Sequence, residues 1–177
     1  PFFEESLEIV VFEGAKPLPG AISKELSPEA EVYRALVVGT RDYLGKNGFP
    51  GALLGLSGGV DSALVAAIAA DAIGAANVRC VMLPSAFTSA HSLEDAADCA
   101  HRLGARLDTI PITGPQDAVG AALAPLFAGT APGITEENIQ SRMRGTILMA
   151  ISNKTGAMLL TTSNKSEMAV GYATIYG

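Results

Sequence analysis

The sequence predicts an α/β fold of three layers, in which helices cover both faces of a mostly parallel, doubly wound sheet. Two observations support this prediction. From residue 52 onward, short apolar segments typical of buried strands alternate with segments of helical periodicity, which favours βαβ units with right-handed crossovers. A glycine-rich segment joins the first of these strands directly to its helix, at the edge where parallel sheets bind ligands.

Local signals place each element. The predicted strands cover residues 52–56, 78–83, 106–112 and 157–161, and the predicted helices cover residues 28–46, 62–73, 92–103, 116–127 and 136–154. Ser27, followed by proline, is expected to cap the first helix. Ser92 and Asp95 form a capping-box pattern, and Gly104 is expected to end that helix. Thr135 is expected to cap the longest helix.

The N-terminal residues differ in composition from the remainder. Residues 7–12 are apolar and strand-like, whereas residues 13–20 are rich in proline and glycine, as linkers are. We therefore expect a boundary after residue 22, with residues 1–22 belonging to a linker region and residues 23–177 forming one domain.

Composition argues against several functions. Of the 177 residues, 49% are apolar and 17% charged, and no run approaches the roughly 20 apolar residues of a membrane span. The net charge of −6 argues against a nucleic-acid partner, which needs a cationic surface. Cys80 and Cys99 lack metal-ligand spacing, so reduced thiols in a cytoplasmic protein are expected. His91 and His101 are isolated and receive no catalytic role.

Residues 57–62 form a glycine loop between a predicted strand and a predicted helix. The first turn of a helix leaves backbone N–H groups without partners and carries the positive end of the macrodipole. Gly58 and Gly59 let the backbone approach an anion closely, and the hydroxyls of Ser57 and Ser62 can add hydrogen bonds. The loop contains no lysine, and it matches neither the Walker pattern nor the dinucleotide fingerprint.

Asp61 leaves two interpretations of this loop open. A carboxylate beside bound phosphate is repelled unless a divalent cation lies between them, so Asp61 indicates a Mg²⁺-phosphate site. The alternative is an ordinary glycine turn, in which Asp61 places a favourable negative charge at a helix N-terminus.

A second polar segment, residues 161–167, follows the last predicted strand. A parallel sheet brings Glu167 towards the same edge as Asp61, and two carboxylates with phosphate oxygens form a ligand set that Mg²⁺ accepts. A solvated loop in which Ser163 or Ser166 caps a helix explains the segment about as well.

The longest predicted helix carries two arginines in its first half, where cations gain nothing from the macrodipole. Asn138 and Arg142 are four residues apart and share a face, whereas Arg144 diverges from Arg142. A ligand is one explanation for these side chains. A surface helix with neighbouring glutamates as ion partners is the alternative.

The residues also carry a family resemblance. Residues 57–62, SGGVDS, are similar to the SGGxDS loop of the ATP pyrophosphatases, whose fold is adenine nucleotide alpha hydrolase-like. Three further segments resemble the NAD synthetase family, specifically the synthetase domain of its glutamine-dependent branch. These segments are residues 84–89, 135–146 and 161–177.

The resemblance implies a carbon–nitrogen ligase that acts in two steps. ATP adenylates the nicotinate carboxylate of deamido-NAD and releases pyrophosphate, and ammonia then displaces AMP to give NAD. In the glutamine-dependent branch, an amidase domain supplies the ammonia. The implied partners are therefore deamido-NAD, ATP and glutamine-derived ammonia, with Mg²⁺ as cofactor, ATP as co-substrate and a homodimer or larger assembly.

The resemblance also implies roles for individual residues. The ATP-binding residues would be Ser57, Gly58, Gly59, Val60, Asp61, Ser62 and Thr162. Asp61 and Glu167 would bind Mg²⁺. Asn138 and Arg142 would contact deamido-NAD.

Departures from the family pattern refine this expectation. Ile175 replaces a lysine of the ammonia-dependent members, which favours the glutamine-dependent branch. Residues 1–22 are similar to the tail of the amidase domain and its linker, but no Glu-Lys-Cys amidase triad is recognisable. The family continues beyond Gly177, so we expect a C-terminally incomplete domain that is inactive alone. A sibling ligase resembling GMP synthetase and a non-catalytic nucleotide-binding module stay as alternatives.

Overall fold

A computed structural model of the chain describes residues 3–131 and 133–163, together with residues 166 and 169. Within these ranges the helices are α1 (Pro28–Lys46), α2 (Val60–Ile73), α3 (Ala90–Leu103), α4 (Thr113–Leu123) and α5 (Ile134–Thr155). The strands are β1 (Phe12–Glu13), β2 (Lys16–Pro17), β3 (Ala52–Gly55), β4 (Val78–Met82), β5 (Arg106–Thr109) and β6 (Met158–Leu160). A short 3₁₀ turn, Ala75–Asn77, leads into β4.

Four parallel strands form the central sheet in the order β5-β4-β3-β6. Leu54 of β3 lies opposite Cys80 of β4 and Leu160 of β6. The chain proceeds from β3 outward to β5 and then returns to the other side of β3 as β6. The strand order therefore reverses between β3 and β6, which is the switch point at which such sheets bind ligands. The predicted fold class is confirmed.

Helices cover the sheet on both faces because alternate strand residues point to opposite sides. Leu54, Leu56 and Cys80 belong to a cluster on the face covered by α2 and α3. Leu53 and Val81 belong to a second cluster on the face covered by α5. Side chains of the first cluster are almost completely buried, whereas the α5 residues that cover the second are only half-buried.

Capping residues define the first helices. The Ser27 hydroxyl accepts a hydrogen bond from the Ala30 N–H at 3.2 Å, which confirms the predicted cap of α1. Gly104 ends α3 with φ of 69°, as predicted. The predicted capping box at Ser92 is wrong, because α3 begins two residues earlier and the Ser89 hydroxyl accepts from the Ser92 N–H at 3.1 Å.

Three further boundaries differ from the prediction. Strand β5 ends at Thr109 instead of residue 112, although Ile110 and Ile112 still donate to the carbonyls of Met82 and Pro84. Helix α4 ends before residue 127, because Pro125 lacks an N–H donor. Thr135 does not cap α5, since it lies inside that helix. Instead, the Glu136 carboxylate accepts the Gly133 N–H at 2.6 Å at the start of α5.

Residues 3–26 lie outside this core. The predicted strand over residues 7–12 is wrong except at its last residue, which begins the two-residue strand β1 of a hairpin. Leu7 and Ile9 are 94% and 87% exposed, so no part of the described chain buries the apolar side chains that suggested the strand. The domain boundary after residue 22 stays a prediction.

None of the helices in the described ranges has the length and apolar content needed to cross a bilayer.

Candidate functional site

The candidate site lies at the carboxyl edge of the sheet, where the segments that follow β3 and β6 flank the switch point. Residues 57–62 follow β3 and lead into α2, and Thr162 follows β6. Both segments were singled out from the sequence, and the parallel ladder of β3 and β6 brings the strand ends together. Thr162 is exposed at this edge.

Gly58 has a conformation and surroundings that only glycine satisfies. Its φ of +85° lies in the left-handed region, which side chains rarely adopt. A Cβ at this position would also lie 2.9 Å from the Cα of Ser92 and would collide with the Ser92 carbonyl oxygen. The first turn of α3 therefore packs directly against the glycine loop and determines its path.

Hydroxyl groups hold the loop in shape. Ser62 is only 4% exposed, and its hydroxyl accepts the Ser57 N–H at 3.2 Å and donates to the Gly59 carbonyl at 2.9 Å. The Ser57 hydroxyl accepts the Gly59 N–H at 3.2 Å and lies 3.1 Å from the Ser62 hydroxyl. The Ser62 hydroxyl thus shapes the loop, whereas Ser57 is exposed at the surface that a ligand would meet.

The start of α2 presents both positive and negative groups. Gly59 is the N-terminal cap and has no side chain to bond the N–H groups of the first turn, which leaves them oriented towards the loop. Val60 is 79% exposed and Asp61 is also exposed, and Asp61 forms no ion pair within the described ranges. An exposed carboxylate oxygen next to these N–H groups suits a hard cation that is shared with a phosphate.

The second predicted metal ligand, Glu167, lies outside the described residues, so its proximity to Asp61 stays a prediction. Within the described ranges, no three histidine, cysteine, aspartate or glutamate side chains converge as a metal site.

Helix α5 runs antiparallel to the strands, so its first half lies at the carboxyl edge. Near its C-terminal end, a Cβ on Gly156 would contact the Pro50 ring at 3.6 Å, just before β3 begins. Towards its N-terminal half, the Arg144 Nε donates to the Leu83 carbonyl at 3.1 Å, just after β4 ends. Asn138 therefore lies roughly 9 Å beyond Arg144 along the helix axis, at 1.5 Å per residue.

Asn138 is half-buried and Arg142 is exposed on the part of α5 that extends past the sheet edge. The structure thus places both predicted acceptor-binding residues on the site's side of the molecule. Arg144 was not assigned a role from the sequence, although its unfavourable position in the helix macrodipole was a signal. Its contact with Leu83, 61 residues away, could not be predicted from the sequence.

Comparison with known proteins matches residues 32–177 to the family described as NAD synthase. The chain belongs to the NAD synthase family. A glutamine-dependent NAD(+) synthetase of Rhodobacter capsulatus is 63% identical over an alignment of 181 positions. The alignment covers 100% of this chain and 33% of that protein. This chain spans about a third of the length of the curated relatives it matches.

Solved structures of this family have the same fold. A glutamine-dependent NAD+ synthetase of Acinetobacter baumannii, in complex with adenosine diphosphate, superposes with a TM-score of 0.85 at 49% identity and covers 92% of this chain and 30% of its own. An NH3-dependent NAD synthetase of Campylobacter jejuni, in complex with nitrate, superposes with a TM-score of 0.76 at 28% identity. That match covers 86% of this chain and 64% of the other. The predicted family and fold are confirmed.

Proposed function

We propose that the whole protein containing this chain amidates deamido-NAD to NAD at the expense of ATP. The glycine loop of residues 57–62 carries this proposal, because it places free helix N–H groups and an exposed carboxylate at the switch point of a NAD synthase fold. The relative whose structure holds adenosine diphosphate supports nucleotide binding at this fold. We include the cytoplasm in the proposal, since both cysteines are free thiols.

The reaction requires activation of a poor acyl donor. In the first step, a carboxylate oxygen of deamido-NAD attacks the α-phosphorus of ATP, and the bond to the bridging oxygen of the β-phosphate breaks to release pyrophosphate. Ammonia then attacks the acyl carbon, AMP leaves, and the ammonium nitrogen loses a proton to give the amide. Negative charge accumulates on the departing pyrophosphate, and oriented N–H donors stabilise such charge.

Residues of this chain would bind and orient both reactants. The N–H groups at the start of α2 and the Ser57 hydroxyl would bind phosphate oxygens, while Ser62 keeps the loop in the required shape. Thr162 would contact ATP from the end of β6. Asn138 and Arg142 would hold deamido-NAD beside α5.

Mg²⁺ fits the donor set in part. The exposed Asp61 carboxylate supplies a hard oxygen ligand at the loop, and we propose Glu167 as the second. When bound, the cation would neutralise charge on the phosphates. We further propose that glutamine, through an amidase domain of the whole protein, supplies ammonia, and that the protein is a homodimer or larger assembly.

Product analysis tests the proposed function. The whole protein is incubated with ATP, MgCl₂ and deamido-NAD, with ammonia or glutamine as the nitrogen source. We expect NAD, AMP and pyrophosphate in equal amounts with both nitrogen sources. ADP and phosphate as products would contradict adenylation. Turnover with ammonia but not with glutamine would contradict the proposal that glutamine supplies the ammonia.

The same assay distinguishes the two alternatives. Pyrophosphate release that is triggered by xanthosine monophosphate instead of deamido-NAD would indicate a ligase resembling GMP synthetase. Mg²⁺-dependent ATP binding without turnover of either acceptor would indicate a non-catalytic nucleotide-binding module.

A further inference from the structure

Arg144 is a half-buried cation near the carboxyl edge of the sheet, and the described residues around it provide no opposite charge. Its Nε donates to the carbonyl of Leu83, which immediately follows β4, and this bond fixes the plane of the guanidinium. The side chain is half-buried, and burial lowers the pKa of Arg144. It nevertheless stays a cation, because arginine is not deprotonated in proteins.

Arg144 has no carboxylate partner within residues 3–131 and 133–163. Four other arginines of the chain each form an ion pair there, namely Arg34, Arg79, Arg102 and Arg106. A partly desolvated cation without a counter-ion is unfavourable, so an anion that binds beside it would gain more than at an exposed cation.

The position of Arg144 relates it to the glycine loop. A Cβ on Gly55 would lie 3.3 Å from Leu148, so α5 contacts β3 at Gly55. Arg144 is one helical turn from Leu148 and lies about 6 Å nearer the carboxyl edge, a distance that two strand residues also span. Measured along the strand direction, Arg144 therefore lies level with Ser57, on the side of the sheet that α5 covers.

The terminal nitrogens of Arg144 have no hydrogen-bond partner among the described residues. Every fully buried side-chain nitrogen or oxygen in the described part of the chain has a hydrogen-bond partner. Arg144 uses only its Nε in this part of the chain, and no described residue accepts a hydrogen bond from its two terminal nitrogens. The guanidinium thus presents two parallel N–H donors at the edge, a fork that matches two oxygens of a phosphate.

We propose that Arg144 binds a phosphoryl group of a reactant at this edge and supplies the cationic partner that the lysine-free glycine loop lacks. This inference rests on the proposed function. Two sources offer the same chemistry, namely the triphosphate of ATP and the diphosphate of the dinucleotide acceptor. Arg144 lies on α5 at the level of the glycine loop, and Asn138 and Arg142 lie further along the same helix. The proposed binding sites of the triphosphate and of the acceptor diphosphate therefore both lie on its side of the sheet edge.

Arg41 provides a matched control for the experiment. It is also a helix arginine that donates to main-chain carbonyls, those of Ala72 at 2.8 Å and Asp71 at 3.1 Å. These carbonyls belong to the C-terminal end of α2, at the amino edge of the sheet, far from the glycine loop. If the loss of a contact between a helix arginine and a main-chain carbonyl were by itself enough to weaken ligand binding, both arginine variants would show it.

The test uses the whole protein with Arg144→Gln, Arg144→Lys and Arg41→Gln, and calorimetry with ATP, adenosine and deamido-NAD. We expect Arg144→Gln to weaken binding of ATP or of deamido-NAD at least about 10-fold, the usual loss for one charge-assisted hydrogen bond. Adenosine binding should be unchanged, Arg144→Lys should recover part of the lost affinity, and Arg41→Gln should match the parent. The phosphate-bearing ligand that loses affinity identifies the source.

Two results would overturn the inference. The first is unchanged binding of both ATP and deamido-NAD by Arg144→Gln, and the second is an equal loss of affinity for ATP and adenosine. Either result reduces Arg144 to a structural link between α5 and β4. Formation of NAD by the parent protein is measured in parallel. If the parent forms no NAD but its ATP affinity depends on Arg144, the proposed function fails and the phosphoryl contact stands.

Discussion

Helices α2 and α3 lie against one face of the central sheet and α5 lies against the other, but the two faces exclude solvent to different degrees. Ala66 and Ala69 of α2 and Ala96 of α3 are 0% exposed, because small side chains let these helices approach the strands closely. Helix α5 is 22 residues long, yet none of its residues is fully buried.

This difference indicates that one face supports the glycine loop, whereas the other presents side chains that a ligand can contact. The face covered by α2 and α3 is closely packed, and it holds the glycine loop through the contact between Gly58 and Ser92. The α5 face keeps polar and charged side chains near solvent, where a ligand can reach them. Substitutions on the first face should therefore reduce stability, and substitutions at the edge of the second should affect ligand binding.

The largest effect is expected from a cavity in the closely packed face. Leu54 is 1% exposed, so Leu54→Ala should lower the free energy of unfolding by about 3 kcal/mol. Leu148→Ala on α5 should cost about 1 kcal/mol, because that side chain is only half-buried. Urea denaturation of both variants measures the difference. Equal losses would contradict the distinction between the two faces.

Gly58→Ala should have the next largest effect, about 2 kcal/mol, from its left-handed φ and the crowding against Ser92. ATP affinity should fall as well, because the loop must move away from α3. Gly39→Ala is the matched control, since Gly39 lies within α1 with open space around it, and alanine should stabilise that helix. Thermal unfolding and ATP titration report the two effects separately, and an unchanged Gly58→Ala protein would refute the contact.

Ser62→Ala should cost about 1 kcal/mol, because it removes the hydroxyl that joins the Ser57 N–H and the Gly59 carbonyl. Ser163→Ala, an exposed hydroxyl beyond β6, should change stability little. Denaturant midpoints give the comparison. A cost as small for Ser62 as for Ser163 would show that the hydroxyl does not hold the loop.

Acid should weaken the ion pairs of Asp108 on β5, which is the outermost strand of the sheet on the side opposite β6. Hydrogen bonding from Arg106, and then from Arg79, lowers the pKa of Asp108 from its usual value of 3.8. A carboxylate with a depressed folded pKa stabilises the protein above its unfolded pKa, and this contribution disappears as the pH falls through the folded pKa. Asp108→Asn should therefore cost up to about 1 kcal/mol at neutral pH and less in acid, below the folded pKa. Unfolding measured at both pH values tests this, and a cost independent of pH would contradict it.

The smallest change in stability, within about 0.5 kcal/mol, is expected for Asp61→Ala, because Asp61 is exposed. Its effect on function should be large, with weaker binding of Mg²⁺-ATP or slower turnover. Asp117→Ala, another exposed carboxylate on a helix, serves as the control and should leave ATP binding unchanged. Undiminished adenylation by Asp61→Ala would remove Asp61 from the proposed metal site.

Local signals explain why much of the fold could be predicted. The apolar segments that became β3 and β4, the cap at Ser27 and the left-handed Gly104 depend on neighbouring residues alone. At the start of α3 the local signal was misleading. The sequence pattern favoured Ser92 as the cap of α3, but Ser89 is the cap and Ser92 lies in the first turn, where it packs against Gly58 of the glycine loop.

Residues 7–12 show the reverse case, in which a local signal has no tertiary partner. Their apolar pattern predicted a strand, but strands form through hydrogen bonds to other strands, and the described chain provides none for most of this segment. Predictions at the candidate site were limited in the same way to local signals. Gly58 and Asp61 were identified because the glycine loop is a local pattern, whereas Arg144 was assigned no role, because its contact with Leu83 is distant in the sequence.

The sequence by itself determined the succession of the main strands and helices along the chain, the glycine loop and the sheet edge to which that loop belongs, because short-range periodicity and backbone preferences encode all three. Only the tertiary structure decided that Ser92 of α3 would pack against Gly58 and that Arg144 would reach Leu83. Such contacts join residues from separate elements, and their geometry follows from how the helices pack on the sheet.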